Sequence, residues 1–429
     1  MNIRLPYGTK DIPIDVPDNW INGRCYRPFQ LEKAESEEQA LEEALSSPVG
    51  SVNFRDVLKG KTSVCVVISS LCPQLFKRVL PSILARIEEY SKLDEDKITV
   101  LFTNSIWKPK NQEFLNRNVP SALLGRYKMI LHQPGNTNDC VEIGKVGDQE
   151  IPIRLNKAYV EADAKIIIGP VLPDLIEGFV GGRSLILPGI ADETTLRALF
   201  TYENVTNPAV SYGITRDNPF HMAGMQALQL AGCDFGFCIL MTREGHLSSY
   251  ICGDPGQATM ASIDQMREKL GMFLKEHMDI VVTSGGGAPF DGSLYQLINA
   301  LSAVLPIIKE NGTILCTAAL DKGFGPDPLR ELLLKARSPE HFAQQHANNA
   351  HWIPGQWVIQ HFFAILQRHE VIIYSDGISE SELWESGLTP AKDFQEAIEV
   401  AMQGHGQRCK ICALPEGPFS LPVMKPVTR

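Results

Sequence analysis

The sequence has no cluster of basic residues. Its 40 Lys and Arg are dispersed over 429 residues and outnumbered by 50 Asp and Glu, for a net charge of −10. A nucleic-acid footprint needs grouped cations, so nucleic acid is set aside as a partner. Nor is there an apolar run approaching the roughly 18 residues of a helical membrane span. The opening, MNIRLPYGTKDIPIDVP, lacks the apolar centre of a signal peptide. No membrane association is expected. A disulfide framework is missing as well. Most of the ten cysteines lie in apolar runs, such as SVCVVIS around Cys65 and TILCTAAL around Cys316. Thiols so placed behave as small hydrophobes and point to a reducing compartment, the cytoplasm.

What is present is an ordinary globular balance. Apolar residues make up 44% of the chain, enough for two cores at this length. The first residues alternate around Gly8 and read as a β-hairpin. Buried strands are expected at 63–69, 98–103 and 165–172, separated by helical spacing at 75–90 and 111–125. Strand and helix in alternation is the mark of a parallel α/β fold. A helix at 218–231 begins at Asp217 or Asn218 with Pro219 as its first residue, and a hairpin at 235–254 turns near Arg243–Gly245. A second α/β series follows: strands at 278–284, 312–320, 371–375 and 409–414, with helices at 294–309, 327–336, 355–368 and 390–403. The reading is therefore two α/β domains, 1–272 and 273–397, with 398–429 completing the first.

Several short motifs carry chemistry. Gly285–Gly286–Gly287 follows a buried strand, where bare backbone N–H groups either receive a ligand or make a tight turn. It lacks the spacing of a dinucleotide fingerprint or a phosphate loop. GGRSLILPG offers Arg183, whose guanidinium suits a carboxylate or phosphate, beside the hydroxyl of Ser184. CKIC at 409–412 has metal-ligand spacing, but on a strand residues three apart face opposite sides, so no metal site is expected. Trp357 opens a predicted helix, where it packs or walls a ligand pocket.

In order and spacing, the blocks are more specific than any one motif. LPYGTKDIPIDVPDNW, AYVEADAKIIIGPVLPDLIEGFVGGRSLILPGIADETT, DNPFHMAGMQALQLAGCDFGFCILMTREGHLSSYICGD, DIVVTSGGGAPFDGSLYQLINALSA and GQWVIQ resemble the nickel-pincer lactate racemase family. The resemblance implies two α/β domains with an interdomain cleft. It implies racemisation or epimerisation of 2-hydroxy acids, an isomerase activity. Its cofactor would be a nickel ion in a pyridinium-derived pincer nucleotide, attached through a lysine and served by histidines.

At the chemical positions this chain departs from that pattern. Ser184 stands where the resemblance implies the attachment lysine, and Asp174 and Phe200 stand where it implies histidines. Leu71 and Cys72 fall in the run that would hold a substrate-gripping arginine. Trp107, Lys108 and Pro109 replace a His-Arg-Pro, and Asn299 replaces a helix lysine. Tyr295, Gln296, the Gly285–Gly287 loop and Trp357 are retained. Hence no cofactor is assigned from the sequence. The expected partner is a small-molecule ligand, a hydroxy acid or other small carboxylate. Asp174, Ser184, Trp107 and Lys108 are the catalytic candidates, with Asp174 a base if burial raises its carboxyl. Arg183, Gly285, Gly286, Gly287, Tyr295, Gln296 and Trp357 are the ligand-binding ones. Two alternatives stand beside this: a genuine nickel-dependent racemase with divergent ligands, and a non-catalytic binding or regulatory homologue. The oligomeric state is not specified.

Overall fold

The fold was obtained as a computed structural model. It describes residues 2–15, 24–27, 31–50, 53–107, 109–336, 338–347, 352–406 and 408–424.

The first half is built on a six-stranded sheet. Its order is Leu247–Gly253, Phe235–Met241, Ala164–Pro170, Val64–Ile68, Ile98–Phe102, Lys128–Leu131. All neighbours are parallel except the first pair, the expected hairpin. The central strands, VCVVI, ITVLF and AKIIIGP, are apolar throughout because both faces are covered. Alternation sends their side chains to two separate cores. Val64, Val66 and Ile68 join one with Ile83, Leu84 and Ile87 of the helix Leu80–Ser91. Cys65 and Val67 join the other with Ala258, Ile263 and Met266 of the helix Pro255–Leu270. The helix Pro219–Ala231 starts as expected: Asn218 Oδ1 accepts from the N–H groups of Phe220 and His221.

The second sheet is wholly parallel. Its order is Thr389–Pro390, Glu370–Tyr374, Ile308–Thr317, Met278–Ser284, Ile411–Leu414, Arg24–Cys25. One face, with Val281, Ile314 and Cys316, enters the same core as Cys65 and Val67. The two halves therefore share one apolar interior. The other face, with Ile280, Val282 and Leu315, is covered by the helix Phe394–His405 and by the hairpin Asn2–Tyr7/Lys10–Asp15.

Chain order and spatial order differ here. The sequence reading gives residues 398–429 to the first half, but Ile411–Leu414 is an inner strand of the second sheet. It is buried on both faces, with Cys412 and Leu414 in the shared core and Ile411 and Ala413 opposite. Only Leu421–Met424 turns elsewhere, pairing with Gly271–Leu274. Likewise the opening hairpin and Arg24–Cys25 sit with the second sheet. Cys409 and Cys412 pack into different cores. Among the described residues no His, Cys, Asp and Glu group is arranged to hold a metal. Among them, too, no helix is long and apolar enough to cross a membrane.

Candidate functional site

In the first sheet the strand order reverses between Val64–Ile68 and Ala164–Pro170. Such a switch point opens a crevice beyond the carboxyl ends of the strands, where α/β proteins bind ligands. A cavity of about 410 Å³ lies there. Both halves line it: the first through its strand ends and the 172–189 segment, the second through Tyr295, Asn299 and Trp357. A larger groove, about 560 Å³, runs between the helix Glu37–Ser46 and the edge strand Leu247–Gly253. It lies away from every residue singled out in the sequence.

The strand ends give the cavity a polar wall. Thr103 Oγ1 accepts from Ser70 N–H at 3.0 Å. Asn104 Oδ1 accepts from the N–H groups of Ser105 and Lys110, at 3.0 and 2.9 Å, and so closes the 104–110 loop. This brings the Lys110 ammonium back to Ser70, where it donates to the carbonyl and, at 2.8 Å, to Oγ. Among the described residues lining the cavity, Lys110 is the only cation.

A short hairpin, Leu172–Asp174 with Gly178–Val180, carries the acidic wall. Asp174 Oδ1 accepts from Ile176 and Glu177 N–H at 2.8 and 2.7 Å, an Asx turn that ends the strand. Gly178 is required at the return: at φ 73°, a Cβ there would lie 2.1 Å from the Ile214 carbonyl oxygen. Behind the hairpin Arg183 is fully buried. It donates to the carbonyls of Phe179 and Glu177 at 3.0 and 3.1 Å and to Ser184 Oγ at 2.8 Å. Space for its side chain comes from Gly224 of the neighbouring helix. Ser184 Oγ in turn donates to Glu177 Oε2, which lies 3.5 Å from the guanidinium. Burial pushes the Glu177 carboxyl up to about 7, against the pull of Arg183 and Ser184 and with the push of Asp174. Burial also raises Asp174, although its backbone hydrogen bonds and Arg183 oppose this.

Two aromatic pairs complete the lining at the junction of the halves. Trp107 lies 4.2 Å from Tyr295 between ring centres, and Phe200 lies 4.2 Å from Trp357. Trp352 Nε1–H donates to the Phe200 carbonyl at 3.1 Å and holds that corner.

The structure thus brings together Trp107, Asp174, Ser184, Tyr295 and Trp357 in one cavity, with Arg183 directly behind Ser184. Lys108 lies outside the described residues. Gln296 and the glycine triplet do not line it. Gln296 Nε2 donates to the Pro289 carbonyl. The triplet is a packing junction: a Cβ on Gly286 would meet Pro418 at 3.0 Å, and one on Gly287 would meet Pro6 at 3.1 Å. Glu177, Lys110 and Asn104 were missed by the sequence reading. For Glu177 a signal existed, since Asp174 three residues before it and Gly178 after it spell a turn whose ends point to one place. Lys110 carries no signal, because its return to Ser70 depends on the loop that Asn104 closes.

Comparison with known proteins fits this architecture. Residues 7–209 match the lactate racemase N-terminal domain, and residues 274–421 match the lactate racemase C-terminal domain. The chain belongs to the lactate racemase family. Lactate racemases of Thermoanaerobacterium thermosaccharolyticum and Lactiplantibacillus plantarum are each 26% identical to it, over 97% of this chain and 98% of theirs. The lactate racemase apoprotein structure from the former superimposes with a TM-score of 0.90 at 25% identity, covering 99% of this chain and all of that one. A Thermotoga maritima protein shares the fold, with a TM-score of 0.66 at 15% identity over 93% of this chain.

The family resemblance implies a lysine-tethered nickel pincer, and the residues here do not fit it. Ser184 has no amine, and its hydroxyl is engaged by both Arg183 and Glu177. Asp174 offers a hard oxygen donor where a softer nitrogen suits nickel. No histidine is among the described residues lining this lactate racemase-like cavity.

Proposed function

We propose that the cleft binds a small carboxylate, a hydroxy acid or a related small anion, and acts on it without a tethered nickel pincer. One observation carries the reading. Among the described residues lining the cavity, one ammonium, Lys110, stands on a wall of hydroxyls with two carboxylates, Asp174 and Glu177. Lys110 with Ser70 is the anion end, because an ammonium beside a hydroxyl is a charge-assisted donor set for a carboxylate. Glu177 is the proton-carrying group. Held near 7, it takes up or gives up a proton under neutral conditions, as general acid–base chemistry requires. Ser184 and Arg183 position it. Asp174, the base expected from the sequence, is fixed in its turn and supplies charge.

The experiment is ligand-induced stabilisation of the whole protein by a panel of small carboxylates. Lys110→Met is expected to weaken binding at least tenfold, and Lys145→Met, on the Cys140–Val146 strand, to leave it unchanged. Stabilisation indifferent to Lys110→Met would refute the assignment. A purely binding role is the second reading, favoured by the Phe200–Trp357 stack, which fills a corner of the cavity with apolar bulk. Turnover of any ligand that binds, lost in Glu177→Gln, separates the two.

A further inference from the structure

We propose that the ligand carries a cationic nitrogen beside its carboxylate, so that the cleft takes a small amino acid in preference to the hydroxy acid of the same carbon skeleton. This rests on the reading of the cleft as a carboxylate site.

The argument begins with hydrogen-bond partners. Asp174 Oδ1 accepts from the N–H groups of Ile176 and Glu177, at 2.8 and 2.7 Å, and no side-chain hydrogen-bond donor is paired with this carboxylate among the described residues. Glu177 Oε2 is taken by Ser184, and none among them reaches Oε1. Asn299 Oδ1 is buried without a partner. All three residues line the cavity. Asp174 and Asn299 present acceptors, and Glu177 does so when ionised, so the ligand that satisfies them is a multiple donor. An ammonium brings three N–H groups and a hydroxyl brings one.

Charge selects in the same direction. Arg183 compensates one carboxylate at most. Its nearest approach to Glu177 is 3.5 Å, and its two terminal nitrogens donate to two carbonyls and to Ser184. No ion pair reaches Asp174 among the described residues. A neutral hydroxyl would leave that charge with no closer compensation than its turn's N–H groups and the field of Arg183, and an under-compensated charge away from water is costly. A ligand cation removes the cost.

The remaining lining agrees. The Trp107–Tyr295 and Phe200–Trp357 pairs supply ring faces, and tryptophan and tyrosine faces attract cations. Burial, and after it the Asp174 charge, raises the Tyr295 phenol, which puts the carboxylate and the ring in one neighbourhood. Lys110 stands on the strand-end wall, where the carboxylate of the same ligand would sit.

The test uses matched pairs that differ only in the substituent: alanine against lactate, and phenylalanine against 3-phenyllactate, each in both hands, titrated into the full-length protein by calorimetry. The amino member of at least one pair is expected to bind ten or more times tighter than its hydroxy partner. Asp174→Asn should erase that preference by weakening the amino member at least tenfold. If the hydroxy member binds as tightly or more tightly in the unaltered protein, the inference is overturned and the carboxylate cleft stands. If no member of either pair binds, the carboxylate reading itself falls, and the inference with it.

Discussion

Arg183 is the residue on which the acidic wall depends. A guanidinium with no exposure needs partners, and here its two terminal nitrogens meet two carbonyls, a serine hydroxyl and a carboxylate, while Nε is left without a hydrogen bond. Removing one partner leaves the other charge stranded. Glu177→Met is therefore expected to destabilise the fold by about 3–5 kcal/mol, as for other broken buried pairs. Replacing Arg183 and Glu177 together by methionine should cost less than the two single changes summed. Denaturant unfolding of the three variants checks this, and strict additivity would contradict the pairing.

The buried imidazoles set the acid response. Burial first, then Arg183 and Arg267, hold His221 down at about 3, and burial holds His361 at about 4. Unfolded imidazoles titrate near 6.5, so between those values the unfolded chain binds more protons than the folded one. Stability from these groups is complete above about 6.5 and is lost as pH falls toward 4. Glu177 acts oppositely between about 4.5 and 7, where the folded chain retains its proton. Burial also lowers His132 and His369 and raises Asp174, so four histidines stand against two carboxyls, and unfolding midpoints are expected to fall from pH 7 to pH 5. His361→Gln should flatten that slope, and an unaltered slope would contradict the assignment.

At the scale of elements, much of the fold was legible. VCVVI, ITVLF and AKIII are apolar at every position, and such runs are strands covered on both faces. Asn218 and Pro219 announced a helix start through local chemistry alone. The glycine triplet was misleading, because glycine after a strand serves ligand approach and backbone packing alike. Here Gly287 sits at φ 72°, with Pro6 and Gly8 where a Cβ would go. Gly287→Ala is expected to cost about 1–2 kcal/mol of stability from the left-handed backbone alone, while ligand affinity stays the same. A loss of affinity without a loss of stability would return the triplet to the site. The helix Gln356–Leu366 is the complementary case. Trp357 is 7% exposed and stacks on Phe200, so Trp357→Ala should destabilise by about 3–5 kcal/mol.

Across the whole molecule, what the sequence concealed was which distant segments meet. The opening hairpin packs on the second sheet and Ile411–Leu414 is a strand of it, although they lie at opposite ends of the chain. The halves are also joined by charge. Glu416, 4% exposed, accepts from Arg27 at 2.8 Å and from Arg243 at 2.5 Å, and Arg243 donates to the Gly286 carbonyl at 2.7 Å. Arg243 sits at the tip of the first sheet's hairpin and Glu416 follows a strand of the second sheet, so this is a tie between halves. Glu416→Gln is expected to speed hydrogen exchange in 241–247 and 284–287 and to leave the central strands of the first sheet protected. Uniform loss of protection would mean that Glu416 supports folding rather than the tie.

Where the family resemblance implies an attachment lysine, this chain has Ser184. The most direct measurement is the intact mass and nickel content of this protein after co-production with the enzymes that make the pincer nucleotide. The predicted result is an unmodified mass with nickel far below one ion per chain. A covalent adduct, or nickel near one per chain, would contradict the account.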